Sequence, residues 1–413
     1  MSISEQDLLQ QLIRIPSVNP AFAGASPHNG GEAVLADFLA DFLQQNGWPW
    51  LRQRVHPGRD NLVAMVKGGT PAADSDVILW EVHQDTVGVA GMQIDPFAAE
   101  LKNGRIWGRG SCDVKGSMAA MLTALTRLQQ DPGQQSSTII LALSVNEESG
   151  FTGAKSLGQI WSPGDTNPAD LGKTIGPLSM QELQSLRPQR AIVAEPTLLN
   201  VVVAHKGTVR WRCRVRGRAT HSSQPEQGVN AIYAMANVVG TIEKFWREEL
   251  SQRTGHALCG GPTVCVSTIR GGSGVNTVPD EAAIDIDYRI APGDSPEAAY
   301  QELIDFLATH ADCGQATLEH DKPSLNSSGL NDRHNREWGQ RLAAVARATC
   351  GSSELVGVPY ATDAPEIARC EIPTVVFGPG SIDQAHTDDE WIDVNQLSSA
   401  VDILCDLARE ASH

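Results

Sequence analysis

The sequence has few of the features that mark a secreted, membrane-bound or nucleic-acid-binding protein. No stretch approaches the roughly 18 apolar residues that a membrane span needs. The N-terminal segment MSISEQDLLQQLIRI lacks the basic start and long apolar run of a signal peptide, and its periodicity predicts an amphipathic helix. Positive charge is scarce, with 32 Lys and Arg against 49 Asp and Glu and a formal net charge of −17. We therefore expect neither nucleic acid nor a membrane as a partner.

Cysteine is also used sparingly. The eight cysteines are scattered along the chain, and none forms a C-x-x-C pair. Neither a thiolate zinc site nor a disulfide framework is indicated. We expect the protein to work in the reducing cytoplasm.

What is present is an alternation of helical and strand patterns in the first half of the chain. Segments 61–68, 76–83, 137–148 and 191–196 read as strands, and 31–46 and 115–130 read as helices. Strands that alternate with helices predict an α/β fold whose mixed, largely parallel sheet is flanked by helices. In such sheets, ligands bind at the carboxyl ends of the strands.

A second, smaller α+β domain is predicted inside the first. At 413 residues the chain is too long for one ordinary core. From residue 206 to 320 the pattern changes to alternating strands and amphipathic helices, and it then returns to the α/β style. We predict a discontinuous catalytic domain at 1–205 and 321–413 around this insertion. Residues 161–190, rich in Pro, Gly and polar residues, are expected to form an irregular excursion.

Arginine occupies every second position from 210 to 218. At this spacing the side chains share one face of a strand. Cross-strand ion pairs with Asp285 and Asp287 are the simpler interpretation. An anion-binding face is the alternative.

The two adjacent glutamates of SVNEESG, Glu147 and Glu148, follow an apolar run that predicts a buried strand. Two neighbouring carboxylates repel each other, and a partly buried charge is costly unless it is paired or bound to a metal. One interpretation is a solvated strand end. The other is a metal site, in which one carboxylate binds the ion and the other handles protons.

Residue types that bind divalent metals recur where predicted strands end. Each has a commoner structural explanation when it is taken singly, because lone histidines are more often structural and lone aspartates are more often turn formers or helix caps. Occurrence of the whole set in one predicted α/β domain favours a metal centre. The set consists of His83 with Asp85 two residues on, Asp113, the Glu147–Glu148 pair, Glu195 and His386.

These residues lie in motifs that resemble a known family. The motifs are HQDTV, GRGSCDVKG, NEESGFTGA, AEPT, AHKG, THSSQPEQGVNAI, GVNTVPDEA, DYRIAPG and GPGSIDQAHTDDEW. Together they resemble the di-zinc amidohydrolases that include acetylornithine deacetylase, succinyl-diaminopimelate desuccinylase, aminoacylase and the glutamate carboxypeptidases. The acetylornithine deacetylase branch is the most similar, although AEPT replaces its usual GEPT and YATDAP stands where that branch tends to have Cys and Glu.

The resemblance implies a zinc-peptidase-like catalytic domain, a ferredoxin-like lid and dimerisation domain, and a role for each site residue. Two divalent ions are implied, Zn²⁺ in the first place with Co²⁺ as an alternative. Asp113 would bridge them, His83 and Glu195 would complete one ion, and Glu148 and His386 the other. Asp85 would orient His83, and Glu147 would be the general base and acid. His221, Asn276 and Arg289 from the inserted domain would contact the substrate and its oxyanion.

The implied activity is hydrolysis of an N-acyl amino acid by attack of a metal-bridging hydroxide on the amide carbonyl. An N-acetyl-ornithine-type substrate, a role in arginine biosynthesis and a homodimer are expected from the same resemblance. The same chemistry on succinyl-diaminopimelate, other N-acyl amino acids or dipeptides is the first alternative. A non-enzymatic metal-binding protein and iron-dependent oxidation are the others, because ligand types alone do not fix the metal.

Overall fold

The computed structural model describes residues 3–22, 31–69, 76–131, 135–163 and 171–410. These residues form two compact units. Unit 1 comprises Met1–Val203, Asp332–Val356 and Thr362–His413, and unit 2 comprises Ala204–Asn331 and Gly357–Ala361. Unit 2 is thus inserted between segments of unit 1.

The helices and strands alternate through unit 1 and change order in unit 2. In chain order the helices are α1 (Glu5–Ile13), α2 (Gly31–Gln45), α3 (Lys115–Gln130), α4 (Glu147–Gly150), α5 (Thr152–Gly158), α6 (Met180–Ser185), α7 (Ala231–Glu248), α8 (Pro296–His310), α9 (Arg336–Cys350), α10 (Ala364–Ala368) and α11 (Val394–Arg409). The strands are β1 (Trp50–His56), β2 (Arg59–Val66), β3 (Val77–His83), β4 (Glu100–Lys102), β5 (Arg105–Trp107), β6 (Thr138–Ser144), β7 (Thr174–Ile175), β8 (Arg190–Val193), β9 (Val201–His205), β10 (Gly207–Arg216), β11 (Thr220–His221), β12 (Thr263–Gly271), β13 (Thr277–Val278), β14 (Glu281–Ile290), β15 (Thr317–His320), β16 (Leu325–Ser327), β17 (Leu355–Val358), β18 (Thr374–Val376) and β19 (Trp391–Asp393).

The main sheet has nine strands in the order β17-β9-β18-β8-β3-β6-β2-β1-β7. The four strands β18, β8, β3 and β6 are mutually parallel, and β2, β1 and β7 continue the sheet in antiparallel pairs. Every residue of β3 and β6 is buried, as expected for central strands covered on both faces. Their carboxyl ends therefore meet at one edge of the sheet, which carries the polar residues of the predicted metal centre.

The helices of unit 1 bury their apolar faces in its core, as α1 illustrates. Helix α1 begins at the cap residue Ser4, whose side chain accepts the backbone N–H of Asp7. It buries Leu8, Leu9, Leu12 and Ile13, and it packs on α3 and α11. This confirms the amphipathic helix predicted at the N-terminus.

Unit 2 is built on an antiparallel sheet in the order β12-β14-β10-β15, with β16 also paired to β10. The order of elements is β10, α7, β12, β14, α8, β15, which is a ferredoxin-like βαββαβ unit. Buried side chains alternate along β14, and they pack with the apolar faces of α7 and α8 into one core. The pairing of β16 with β10 extends this unit to Asn331, beyond residue 320.

The arginines of β10 confirm the ion-pair interpretation. Arg210 pairs with Asp287 at 3.0 Å, and Arg212 pairs with Asp285 at 2.8 Å across the β10–β14 ladder. Arg216 lies between Glu281 and Glu319 at 2.8 and 3.0 Å. Arg214 pairs with Asp321, so the four arginines of β10 each have a carboxylate partner, whereas Arg218, beyond β10, donates to the backbone carbonyl of Gln227 at 3.0 Å.

The predicted excursion at 161–190 is less irregular than its composition indicates. It contains the short strand β7, and it contains α6, which begins with a capping box formed by Ser179 and Glu182. Residues 164–170 of this stretch lie outside the described residues. In the part of the chain that the structure describes, no helix combines the length and apolar character needed to cross a membrane.

Candidate metal centre

Three buried side chains meet at the carboxyl edge of the main sheet. His83 is the last residue of β3, Glu195 lies two residues after β8, and Asp113 belongs to the turn that leads into α3. Their ligand atoms all lie within 4.8 Å of one another. The Nε2 atom of His83 is 3.0 Å from Oδ1 of Asp113. Imidazole and carboxylate groups at this spacing can bind one divalent ion.

A second group shares Asp113 with the first. It contains Glu148 from α4 and His386 from the loop after β18, again with ligand atoms within 4.8 Å. Nε2 of His386 lies 3.3 Å from Oδ2 of Asp113 and 3.1 Å from Oε2 of Glu148. The two oxygens of Asp113 therefore face different histidines, the arrangement that a bridging carboxylate requires. The imidazole of His386 is 51% exposed, so the centre opens to solvent on this side.

The buried carboxylates of this site raise one another's pKa values, which favours binding of a cation. Burial and the nearby Asp113 carboxylate raise the pKa of Glu148 to about 7 and that of Glu195 well above its ordinary value. Burial alone would lower the pKa of His386, but its hydrogen bonds with Asp113 and Glu148 outweigh burial and raise it to about 10. Concentrated buried carboxylates of this kind need protons or cations to balance them. The residues present fit divalent metal ions.

Glu147 lies beside this centre but belongs to neither group of candidate ligands among the described residues. Glu147 is only 9% exposed to solvent. Burial, followed by the carboxylates of Glu195 and Glu148, raises the pKa of Glu147 well above its ordinary value. The backbone before it is held in a left-handed conformation at Asn146, with φ of 66°. An unligated carboxyl group with a raised pKa, next to a metal centre, is suited to taking and returning a proton.

Asp85 is hydrogen-bonded both to His83 and to the start of α4, which carries Glu147 and Glu148. Its backbone carbonyl lies 2.9 Å from Nδ1 of His83, which leaves Nε2 of the imidazole facing Asp113. The carboxylate of Asp85 is farther from that ring, at 3.8 Å, because it accepts the backbone N–H groups of Glu147 and Glu148 at 3.0 and 3.1 Å. Asp85 thus orients the ring through its carbonyl group and anchors α4 through its carboxylate.

Glu390 holds the turn that carries Asp113. Its fully buried carboxylate accepts the backbone N–H groups of Gly110, Cys112 and Asp113 at 2.8 to 3.0 Å. The guanidinium of Arg109 donates to the same carboxylate at 2.7 Å. Sequence reasoning missed Glu390. It follows Asp388 and Asp389, and the sequence does not reveal which of these three carboxylates is buried or which groups donate hydrogen bonds to it.

The three predicted substrate contacts lie in unit 2. His221 is the last residue of β11, Asn276 directly precedes β13, and the N–H of Ser222 donates to the carbonyl of Asn276 at 3.0 Å. The N–H of Ser223 donates to Nδ1 of His221 at 3.2 Å. Because Nδ1 accepts this bond, the proton of the neutral ring lies on Nε2. Arg289 pairs with Asp287 at 2.9 Å on its own strand.

A family model and several solved structures resemble this chain. The model of Peptidase family M20/M25/M40 matches residues 79–410. An aminopeptidase PepT from Bacillus cereus is 20% identical, with a TM-score of 0.69 and 99% of each chain covered. An M20 family metallo-carboxypeptidase from Sulfolobus solfataricus is 16% identical, with a TM-score of 0.74 over 98% of this chain and 99% of the other. A Bacillus subtilis protein described as a dinuclear metal binding peptidase from the M20 family is 15% identical, with a TM-score of 0.65 over 98% and 96%.

Proposed function

The chain belongs to Peptidase family M20/M25/M40 and is a hydrolytic enzyme, and on that premise we propose that it cleaves the amide bond of an N-acyl amino acid with two divalent metal ions. The observation that carries the proposal is the position of Asp113. Its two carboxylate oxygens face His83 and His386, each of which belongs to a different group of candidate ligands. Glu147 stands beside both groups and is a member of neither.

We assign the ligands as follows. Asp113 would bridge the two ions, His83 and Glu195 would complete the first, and Glu148 and His386 would complete the second. The residues proposed for the first ion are all buried, which supports an ion closed off from solvent. His386, proposed for the second ion, is partly exposed, which supports an ion that substrate can reach. Zinc is the expected metal because nitrogen and oxygen ligands of this kind suit it, and cobalt is the alternative.

Divalent ions bound by these residues would supply a water molecule with a lowered pKa and a Lewis acid for the scissile carbonyl. Glu147 moves the protons. Its carboxylate takes a proton from the attacking water and later gives it to the nitrogen of the leaving amine. The products are a carboxylate and a free amine.

His221 is the proposed donor to the developing oxyanion. A neutral imidazole whose Nδ1 accepts from Ser223 presents an N–H at Nε2, and such a donor stabilises charge that appears only during the reaction. Asn276 is proposed as a neighbouring substrate contact. Arg289 is proposed to bind the substrate's α-carboxylate through the N–H groups that its ion pair with Asp287 leaves available.

An N-acetyl-ornithine-type substrate, with a role in arginine biosynthesis, is the specific form of the proposal, and it rests on the motif resemblance. Peptides are the second candidate substrate class, because the similar structures include proteins described as an aminopeptidase and a metallo-carboxypeptidase. We further propose a homodimer that works in the cytoplasm. Light scattering of the purified protein at several concentrations tests the dimer.

The experiment is a substrate panel with zinc-loaded protein. Amine release is measured from N-acetyl-ornithine, N-succinyl-diaminopimelate, other N-acetyl amino acids and dipeptides. Preference for N-acetyl-ornithine supports the specific form. Preference for dipeptides or another acyl group keeps the mechanism and replaces the substrate. A protein that binds two ions and hydrolyses no member of the panel contradicts the proposed substrate class.

A further inference from the structure

Asn19 lies behind the metal centre and is completely buried. It belongs to the segment that follows α1, and sequence reasoning gave it no role. Its side chain is hydrogen-bonded to the two residues that shape the approach to α4, Asp85 and Asn146. We propose that Asn19 is a positioning residue, whose amide holds the Asp85 carboxylate in the orientation that anchors the backbone of Glu147 and Glu148.

The orientation of the Asn19 amide follows from its neighbours. Its Nδ2 group lies 2.7 Å from Oδ2 of Asp85 and 3.0 Å from Oδ1 of Asn146, and its Oδ1 lies 2.9 Å from the backbone N of Ala21. A carboxylate can only accept and a backbone N–H can only donate, so the NH₂ group must face Asp85. If the amide were flipped, its oxygen would face the oxygens of Asp85 and Asn146, and its NH₂ group would face the N–H of Ala21.

The backbone holds Asn19 in register with Asp85. Val18 and Thr86 form a parallel bridge, in which the N–H of Asn19 donates to the carbonyl of Thr86 at 2.9 Å. The N–H of Thr86 donates in turn to the carbonyl of Ser17 at 3.1 Å. These bonds fix the backbones of the two segments side by side, so that the side chains of Asn19 and Asp85 start from defined positions.

Asn19 affects the metal centre through its hydrogen bond to Asp85. Its buried carboxylate receives three hydrogen bonds, from the N–H groups of Glu147 and Glu148 and from Asn19. The bond from Asn19 is the shortest of the three, and it shares the oxygen that accepts from Glu148. Loss of this donor leaves a buried charge underpaired, and the carboxylate will turn to find another partner. Glu148 is a proposed ligand and Glu147 the proposed base, so both would move with it.

Asn146, the residue directly before α4, belongs to the same network. Its Oδ1 accepts from Asn19, Ser149 and Arg59, and its backbone N–H donates to Glu32 at 3.0 Å. Asn19 is thus the link between this cluster and Asp85. A rigid second layer of this kind is what keeps metal ligands within the narrow geometry that activity requires.

The inference rests on the proposed function in one respect, since Glu147 is taken as the base. The test compares wild type with Asn19→Ala and Asn19→Leu in the full-length protein. Leucine has nearly the shape of asparagine but carries neither a donor nor a charge, so it separates the hydrogen bond from the volume. Asn335→Ala is the control, because Asn335 is also buried and hydrogen-bonded, to Val203 and Thr374 at the opposite end of β18.

Three quantities are measured: zinc affinity by competition with a chelator, kcat and KM on the best substrate of the panel, and the melting temperature. We expect both Asn19 variants to lose about 10- to 100-fold in zinc affinity or kcat, with KM within about twofold. Asn335→Ala should lower the melting temperature and leave kcat and zinc affinity unchanged. If Asn19→Ala does not fold, the shape-matched Asn19→Leu decides.

The two proposals fail in different ways. An Asn19→Leu protein with wild-type zinc affinity and kcat overturns the positioning role and leaves the proposed function intact. A wild type that hydrolyses nothing, with weakened zinc binding in the Asn19 variants, overturns the function and supports the positioning role. A loss of kcat in Asn335→Ala as large as in the Asn19 variants would show that general destabilisation explains both, and the inference would be withdrawn.

Discussion

The carboxylate of Asp85 accepts the backbone N–H of Glu147 at 3.0 Å, although 62 residues separate the two in the chain. This contact joins the end of β3, which carries His83, to the turn that carries both glutamates. It explains how two adjacent carboxylates can be kept in different roles. Their backbone is fixed from behind, so Glu148 faces Asp113 and His386 while Glu147 remains outside the ligand groups.

Removal of Asp113 should cost both metal ions. Asp113 is common to the two groups of candidate ligands, whereas Glu195 belongs to one. We expect Asp113→Ala to bind no zinc at concentrations that load the wild type with two ions per chain. Glu195→Ala, the matched control, should keep one ion. Elemental analysis after gel filtration measures both, and an Asp113→Ala protein that retains two ions would rule out the shared ligand.

Glu390 should matter for stability as well as for metal binding. Its carboxylate balances Arg109 and accepts three backbone N–H groups of the turn that carries Asp113. Glu390→Gln removes the charge and turns an NH₂ group toward donors, so we expect a loss of about 3 kcal/mol in the free energy of unfolding. Urea denaturation measures it. Asp389→Asn, a neighbouring exposed carboxylate, is the control and should change stability by less than about 0.5 kcal/mol.

His221 should affect turnover and leave the metals in place. It lies in unit 2 and belongs to neither ligand group. If its Nε2–H stabilises the oxyanion, His221→Ala should lower kcat about 100-fold or more while zinc content stays at two ions per chain. Steady-state kinetics with elemental analysis decide the matter. Unchanged kcat would remove His221 from the reaction.

His205 should make stability depend on pH in mild acid. It is completely buried, and burial lowers its pKa from 6.5 to about 4. Below pH 6.5 the unfolded chain takes up a proton that the folded chain refuses until pH 4. Stability is therefore fully present above pH 6.5 and falls as the pH drops toward 4, by about 3 kcal/mol in all.

The pH dependence is measured by urea denaturation between pH 4 and 7.5. In His205→Gln this part of the slope should vanish, because glutamine does not titrate. His310→Gln, at an exposed position on α8, is the control and should keep the wild-type slope. A His205→Gln protein with an unchanged slope would contradict the assignment.

The sequence predicts the sheet and the metal centre for the same reason. Strands such as β3 and β6 are continuous apolar runs, and in parallel sheets the polar residues that follow such runs converge at one edge. His83 and Glu195 could therefore be placed together from the strand pattern alone, and the motifs added Asp113 and His386.

The residues that hold the candidate ligands in place, such as Glu390 and Asn19, could not be predicted in this way. The bond between Glu390 and the N–H of Asp113 spans 277 residues, and the bond between Asn19 and Asp85 spans 66. A buried carboxylate that accepts backbone N–H groups looks like any other acidic residue in the sequence. Its partners are defined only by the fold, because they are main-chain atoms with no residue type to recognise.

The most direct test of the central claim is the turnover of Glu147→Gln loaded with zinc. Glutamine has nearly the same size as glutamate but cannot accept and return a proton. With two zinc ions per chain, we predict that kcat on the best substrate falls about 1,000-fold or more. A variant that keeps both ions and wild-type turnover would show that Glu147 is not the base, and a variant that loses an ion would show that it is a ligand.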